Sequence, residues 1–285
     1  MTNVRTNAIR LGLRRGWLEF VQSMRSRQDQ GWFIFVTVAV LGYLYLRRDS
    51  EVAGSDLLVP AVSMPSILAG LLAFGVVSGP AYSLAMQRED GTLLRLKAIP
   101  NGLPGYVVSQ LLGPGLGTVV QVGLIIVPGL VLFDGLMSNG AAGWAALVGF
   151  TVLGLLAMLP IGIIIGALVP SVQKVGSWGM LPVMTLAAIS GIFYPIQALW
   201  GWVQVVAQVF PMYWLGLGMR SAFLPPEAAE LEVTGSWRTL ESVLVLGGWA
   251  AATIALTPMV LRRMARRTSG SQVEAAREQA LQWIR

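Results

Sequence analysis

The sequence is cut into long stretches free of Asp, Glu, Lys and Arg, separated by short charged clusters. Residues 30–46, 57–87, 98–133, 135–173, 175–219 and 242–261 carry none of these four residue types. A helix needs about 20 mostly apolar residues to cross the hydrocarbon core of a bilayer. The runs therefore predict six membrane spans, near 30–46, 58–83, 105–133, 144–168, 177–194 and 241–261. Composition agrees: 55% of the 285 residues are hydrophobic and 12% are charged, where soluble domains carry about 25% charged residues. The expected fold class is an all-α polytopic membrane protein.

Lys and Arg give an orientation, because cytoplasmic loops are enriched in them. With six crossings both termini share one side, and sixteen of the twenty basic residues then fall there. The four on the other side are Arg47, Arg48, Arg220 and Arg238. Both termini are thus expected in the cytoplasm, with residues 262–285 as a basic cytoplasmic tail. The same asymmetry accounts for the formal net charge of +6, so no nucleic-acid partner is implied.

Residues 1–29 contain six Arg and no unbroken apolar core, which argues against a cleavable signal peptide. They do carry an apolar stripe, Ile9, Leu13, Trp17, Phe20 and Met24, with Arg5, Arg14, Arg15 and Arg25 off it. That pattern predicts an amphipathic helix lying at the inner interface, its arginines over anionic lipid headgroups. A soluble helix packed on other protein would show the same stripe.

Several chemistries are excluded. The chain has no Cys and no His, hence no disulfide, thiol or imidazole chemistry and no Cys/His metal site. None of the six predicted spans has an ionisable residue at its centre, which ion-coupled carriers usually require. No GxxxxGK[ST] loop occurs. Transport against a gradient would draw its energy from another polypeptide, and a secondary carrier, a channel or a non-transporting receptor are the weaker alternatives.

Between spans two and three lies REDGTLLRLKAIP, residues 88–100. Glu89 and Asp90 come early and Arg95 and Lys97 late, as a helix dipole favours. Leu93 and Leu96 share a face, and Pro100 ends the element. A short rigid helix with two apolar knobs suits docking into a partner's groove.

This strip resembles the ERExGTLERLxATP segment of type-2 ABC transporter permeases, with departures at Gln87, Leu94 and Ile99. In that family it is the coupling helix, which implies that Arg88, Glu89, Asp90, Gly91, Thr92, Leu93, Arg95 and Leu96 contact a separate ATP-binding subunit. A second segment, residues 190–223, is similar to the family's SGxxFPxxxxPxWLQxxxxxxPLTYxxxxLR stretch. Ser190, Gly191, Phe193, Pro195, Trp202, Gln204, Pro211, Tyr213 and Arg220 fall in register, and Trp200 replaces a proline. The likeness implies short re-entrant helices between spans five and six. Physics agrees, since the charge-free run 175–219 exceeds one span by ~20 residues and Pro195 and Pro211 break it.

The resemblance implies the membrane subunit of a bacterial plasma-membrane exporter, similar to drug permeases of the daunorubicin-resistance type. A second permease copy or a paralogue would complete it, ATP and Mg being bound by the partner subunit and none by this chain. Spans two and five would line the path, offering Met64, Phe74, Tyr82, Met180, Met184 and Phe193. Flexible Met and flat aromatic rings suit hydrophobic cargo of varied shape. Lipid-linked, peptide and polysaccharide cargo are carried by similar proteins.

Overall fold

The computed structural model describes residues 4–52, 57–92, 102–193 and 196–267. Leu93, Arg95, Leu96, Pro195 and the C-terminal segment 268–285 lie outside the described residues. The described chain is helical: α1 (Val4–Arg25), α2 (Arg27–Leu46), α3 (Val59–Glu89), α4 (Gly102–Leu132), α5 (Gly140–Leu168), α6 (Val172–Lys174), α7 (Leu181–Ile189), α8 (Gly201–Val209), α9 (Pro211–Phe223) and α10 (Thr239–Arg267). A π-helical turn, Val175–Gly179, joins α6 to α7. Strand-like pairing among the described residues is one antiparallel bridge, Glu51 to Leu58.

Five helices, α2, α3, α4, α5 and α10, are long and apolar enough to cross a membrane. At about 1.5 Å per residue, the 31 residues of α3 and of α4 extend ~46 Å, well beyond a ~30 Å hydrocarbon core. The predicted fifth span, 177–194, is not among the five. It is divided by the π turn, and α7 has only nine residues. Gly176 and Gly179, with Pro182 at the start of α7, account for the interruption, since neither residue type supports a regular helix. Ser26 separates α1 from α2 by capping α2, its hydroxyl accepting the Asp29 N–H at 3.3 Å.

The bundle is built on α3 and α5. Half of each helix's apolar window is buried, against 11% for α2 and 22% for α10. Their backbones touch where Gly162 and Gly166 face Val77 and Ala81; a Cβ on Gly166 would stand 2.6 Å from the Ala81 carbonyl oxygen. The GxxxG spacing is thus a packing device. Helix α10 covers the other side of α5, with Thr253 Oγ1 donating to the Ala157 carbonyl at 3.3 Å. Helix α9 wedges among α3, α5 and α10 and is buried from Pro211 to Arg220. Its last carbonyls are capped by the α4–α5 connection: Asn139 Nδ2 donates to Ser221 O (3.0 Å) and Leu224 O (2.7 Å), and Ser138 Oγ donates to Phe223 O (2.8 Å).

Helix α1 runs along the first half of α4. The contact face is Ala8, Gly12 and Gly16 against Gly105, Ser109 and Gly113, small residues at four-residue spacing on both helices. A Cβ on Gly12 would run into the Gly105 carbonyl oxygen. The apolar stripe expected to anchor this helix lies on a neighbouring face, where Ile9, Leu13 and Trp17 stay exposed.

Candidate functional site

Helix α3 finishes in the charged strip. Its end is fixed by Asp90, whose Oδ1 accepts the Thr92 N–H at 2.8 Å, and by Gly91 at φ +76°, a left-handed conformation that glycine adopts without a steric penalty. Arg88 and Glu89 reach across to the connection after α5. Arg88 Nη1 donates to the Val169 carbonyl (3.3 Å), and Glu89 Oε1 accepts the Val172 N–H (2.8 Å). The first two strip residues therefore tie α3 to the segment that carries the π turn. Tyr82 stands over that turn, its hydroxyl 2.7 Å from where a Gly176 Cβ would be.

A cavity of 1240 Å³ lies among α2, α3 and α4. Residues along the whole of α3 line it, among them Ser63, Ile67, Phe74, Ser78, Ser83 and Gln87. Those 24 residues of rise correspond to ~36 Å, the full thickness of a hydrocarbon core. Helix α4 contributes Gln110, Thr118 and Gln121, and α2 contributes Trp32, Phe33 and Val36. At the strip end Glu19 and Ser23 of α1 complete the wall.

The far end of the cavity holds an ion pair formed by Arg220, one of the four basic residues assigned to the outer side, and Glu232. Arg220 of α9 and Glu232 are 6% exposed each and joined bidentately, Nε to Oε1 at 2.5 Å and Nη2 to Oε2 at 3.1 Å. Arg220 Nη1 also donates to Ser66 Oγ and to the Gly191 carbonyl, both at 3.3 Å. Gln197 Nε2 holds the Glu232 carbonyl at 2.9 Å. Two ionised groups are thus embedded about seven residues, ~10 Å, inside the end of α3. Arg220, counted by its charge with the outer loops, is thus a buried residue of the protein interior. The pair survives burial because each charge is met by the other and by further hydrogen bonds. Having no net charge, it offers no vacant site for a coupling ion.

The six residues singled out for the path are dispersed. Phe74 and Phe193 stand on the cavity wall. Met64 is fully buried, its thioether packed against Gly129 of α4. Met180 is buried beside the π turn, Tyr82 is half-buried over it, and Met184 points outward from α7. Of the downstream residues, Pro211 opens α9, while Trp202 on α8 is exposed and stacks on Trp200, centroids 6.2 Å apart. The polar residues of α4 went unnoticed in the sequence because Gln and Thr leave no gap in a map of charges. Their signal is spacing: Gln110 and Gln121 are eleven residues, three turns, apart.

Comparison with known proteins follows from this architecture. No curated protein matches the chain. The family model for the ABC-2 type transporter matches residues 7–224, more than half of the chain, from α1 to the end of α9. The chain belongs to the ABC-2 type transporter family, as a membrane-spanning transport subunit.

Proposed function

We propose that this chain is the permease subunit of an exporter of hydrophobic or amphipathic small molecules, driven by ATP hydrolysed on a separate subunit. The observation that carries the reading is the cavity: it extends along all of α3, and its charged lining residues are already paired with one another or with α1. Such a path has nothing with which to couple to a proton or ion gradient.

On this reading the strip is cytoplasmic, and Leu93 and Leu96 dock in a groove of the ATP-binding subunit. Movement of that subunit reaches α6 and the π turn through Arg88 and Glu89. Segment 172–189 serves as the sixth crossing, broken at a π turn of the kind found at functional sites. Helices α8 and α9, about 14 and 20 Å long, are too short to cross and act as re-entrant elements of the outer leaflet. Helix α1 rests in the inner interface with Ile9, Leu13 and Trp17 in lipid. A second copy or a paralogue faces this one, with ATP and Mg held by the partner subunits.

The test is a Leu93→Asp, Leu96→Asp double variant produced with the ATP-binding subunit. Membrane insertion is expected to persist while permease-stimulated ATP hydrolysis disappears. Undiminished stimulation would refute the docking role. Accumulation of cargo by the chain alone in liposomes under a proton gradient, with no ATPase present, would refute the drive.

A further inference from the structure

The four long helices of the bundle are interrupted at one depth. Each has a proline inside it: Pro80 in α3, Pro114 in α4, Pro160 in α5 and Pro258 in α10. Pro80 is nine residues from Glu89, Pro114 twelve from Gly102, Pro160 eight from Leu168 and Pro258 nine from Arg267, so all four stand ~12–18 Å from the strip-side ends. Contacts between the helices align them. The packing of Met64 on Gly129 puts Pro80 beside Pro114 in the antiparallel pair α3 and α4. The Thr253–Ala157 hydrogen bond puts Pro258 level with Gly162, two residues from Pro160. Gly162 in turn faces Val77, which leaves Pro80 and Pro160 about five residues, ~8 Å, apart in depth.

The core divides at the same place. Among the described residues, the buried apolar side chains form two clusters. The smaller holds Leu84, Tyr106, Ile163, Ala167, Leu261 and Met264, and each lies on the strip side of its own helix's proline. The larger takes Val122, Ile125 and Ile126 from α4, Leu147 through Leu159 from α5, and Leu246 and Ala250 from α10, all on the other side. In α3 its buried members Ala81 and Ala85 cross the boundary, which half-buried Leu111, Ile161 and Ile165 pad.

A proline removes one helical hydrogen bond and crowds the preceding turn, so a helix flexes there. Two threonines add side-chain bonds of the kind that bend helices: Thr118 Oγ1 donates to the Pro114 carbonyl at 3.0 Å, and Thr257 Oγ1 to the Thr253 carbonyl at 2.7 Å. On the cavity side of α3, Gly75 and Gly79 meet nothing within 4 Å of an added Cβ, so α3 has room to bend. The strip-side ends, by contrast, are tied together. Arg88 and Glu89 hold Val169 and Val172, Gly12 packs on Gly105, and the Arg15 guanidinium lies 5.5 Å from the Tyr106 ring centroid. We propose that the four prolines form a flexure seam, on which the strip-side end of the bundle, together with α1, tilts as one body against the rest. A 20° bend at Pro80 carries the end of α3, ~14 Å away, through about 5 Å. The cavity wall at Glu19, Ser23, Ser83, Gln87 and Gln110 moves with that body, whereas the Arg220–Glu232 clasp lies beyond the seam. One end of the cavity thus opens or narrows while the other stays shut. This goes beyond the permease reading by locating where the fold bends.

The experiment uses the full chain alone in nanodiscs and exploits the absence of native cysteines. Leu11→Cys and Leu168→Cys mark the strip-side body, and Val131→Cys and Leu244→Cys the other; all four positions are exposed. Spin-label distances are read by double electron–electron resonance. The pairs within a body, Leu11 with Leu168 and Val131 with Leu244, should give narrow distributions. The pairs across the seam, Leu11 with Val131 and Leu168 with Leu244, should be about twofold broader, as a ~5 Å swing implies. Pro80→Ala with Pro160→Ala returns the missing N–H donors and should narrow the cross-seam pairs to the within-body width. Pro65→Ala with Pro128→Ala, at the opposite ends of α3 and α4, should leave all four distributions as in the parent. Cross-seam pairs as narrow as the others in the parent overturn the proposal, and so do equally broad distributions in all four pairs. Cross-seam widths that the Pro80, Pro160 variant leaves unchanged, or that the Pro65, Pro128 variant narrows equally, overturn it too. Should the Pro80, Pro160 variant not remain monodisperse, Pro114→Ala with Pro258→Ala replaces it, and the widths of the parent already decide. With no ATP-binding subunit present, a uniform bundle removes only the seam and leaves the Leu93, Leu96 experiment to judge the permease reading.

Discussion

Replacing Glu232 by Gln keeps the side chain's shape and removes its charge. Arg220 would then remain 5% exposed with no charged partner, its acceptors being the new amide oxygen, Ser66 Oγ and the Gly191 carbonyl. Two unit charges ~4 Å apart interact by about 4 kcal/mol at an effective dielectric constant of ~20, and removing one partner of a buried pair typically costs about 3–5 kcal/mol. The expected destabilisation is therefore about 4 kcal/mol, which for a chain of this size lowers the melting midpoint by roughly 8–16 °C. The Arg220→Met, Glu232→Leu double variant removes both charges together and should return to within about 1 kcal/mol of the parent, because an apolar replacement avoids the desolvation penalty. Melting in a mild detergent, followed by the monodisperse fraction on size exclusion, of the parent, Arg220→Met, Glu232→Leu and their double variant gives all four corners of the cycle. A Glu232→Gln loss under about 1 kcal/mol, or a double variant equal to the sum of the singles, would show that the pair is solvated and not a buried clasp.

Other perturbations reach different parts of the structure. Gly12→Val forces a branched side chain into the Gly105 carbonyl; overpacking of this kind costs about 1–3 kcal/mol, whereas Gly31→Ala, with nothing within 4 Å of the new Cβ, should melt like the parent. Glu89→Gln weakens the acceptor of the Val172 N–H and should cost under about 1.5 kcal/mol of stability, yet it should lower partner-stimulated ATP hydrolysis severalfold if the strip drives the π turn. The chain contains no cysteine, so single replacements report accessibility cleanly. Phe74→Cys and Phe193→Cys should react with a small maleimide, and Met64→Cys should stay protected until the protein is denatured.

The charge-free runs made most of the fold legible, because a ~30 Å core fixes span length and the interruptions in this sequence are charged. Pro195 and Pro211 likewise announced that 175–219 could not be one helix, although the π turn at Val175–Gly179 depends on glycines that look no different from those packed inside α5. The cavity was harder to see. A helix as uniformly apolar as α3 carries no pattern that says which face meets protein and which meets open space. Met64 and Phe74 were thus equivalent in the sequence and are opposite in the fold. Arg220 and Glu232 sit on different elements with a 3-10 turn, Pro226–Leu231, between them, and a count of charges per loop cannot reveal that they meet. In α1 the conspicuous stripe from Ile9 to Trp17 drew attention from the plainer one, Ala8, Gly12 and Gly16, that makes the contact.

The backbone-to-backbone seam between α1 and α4 has a mechanical consequence. Helices separated by side chains can slide by exchanging rotamers, but Gly12, Gly16, Gly105 and Gly113 leave no such lubricant. Helix α1 and the α4 wall consequently behave as one lever, so any tilt that widens the hollow beside Gln121 must carry the exposed Ile9, Leu13 and Trp17 along with it.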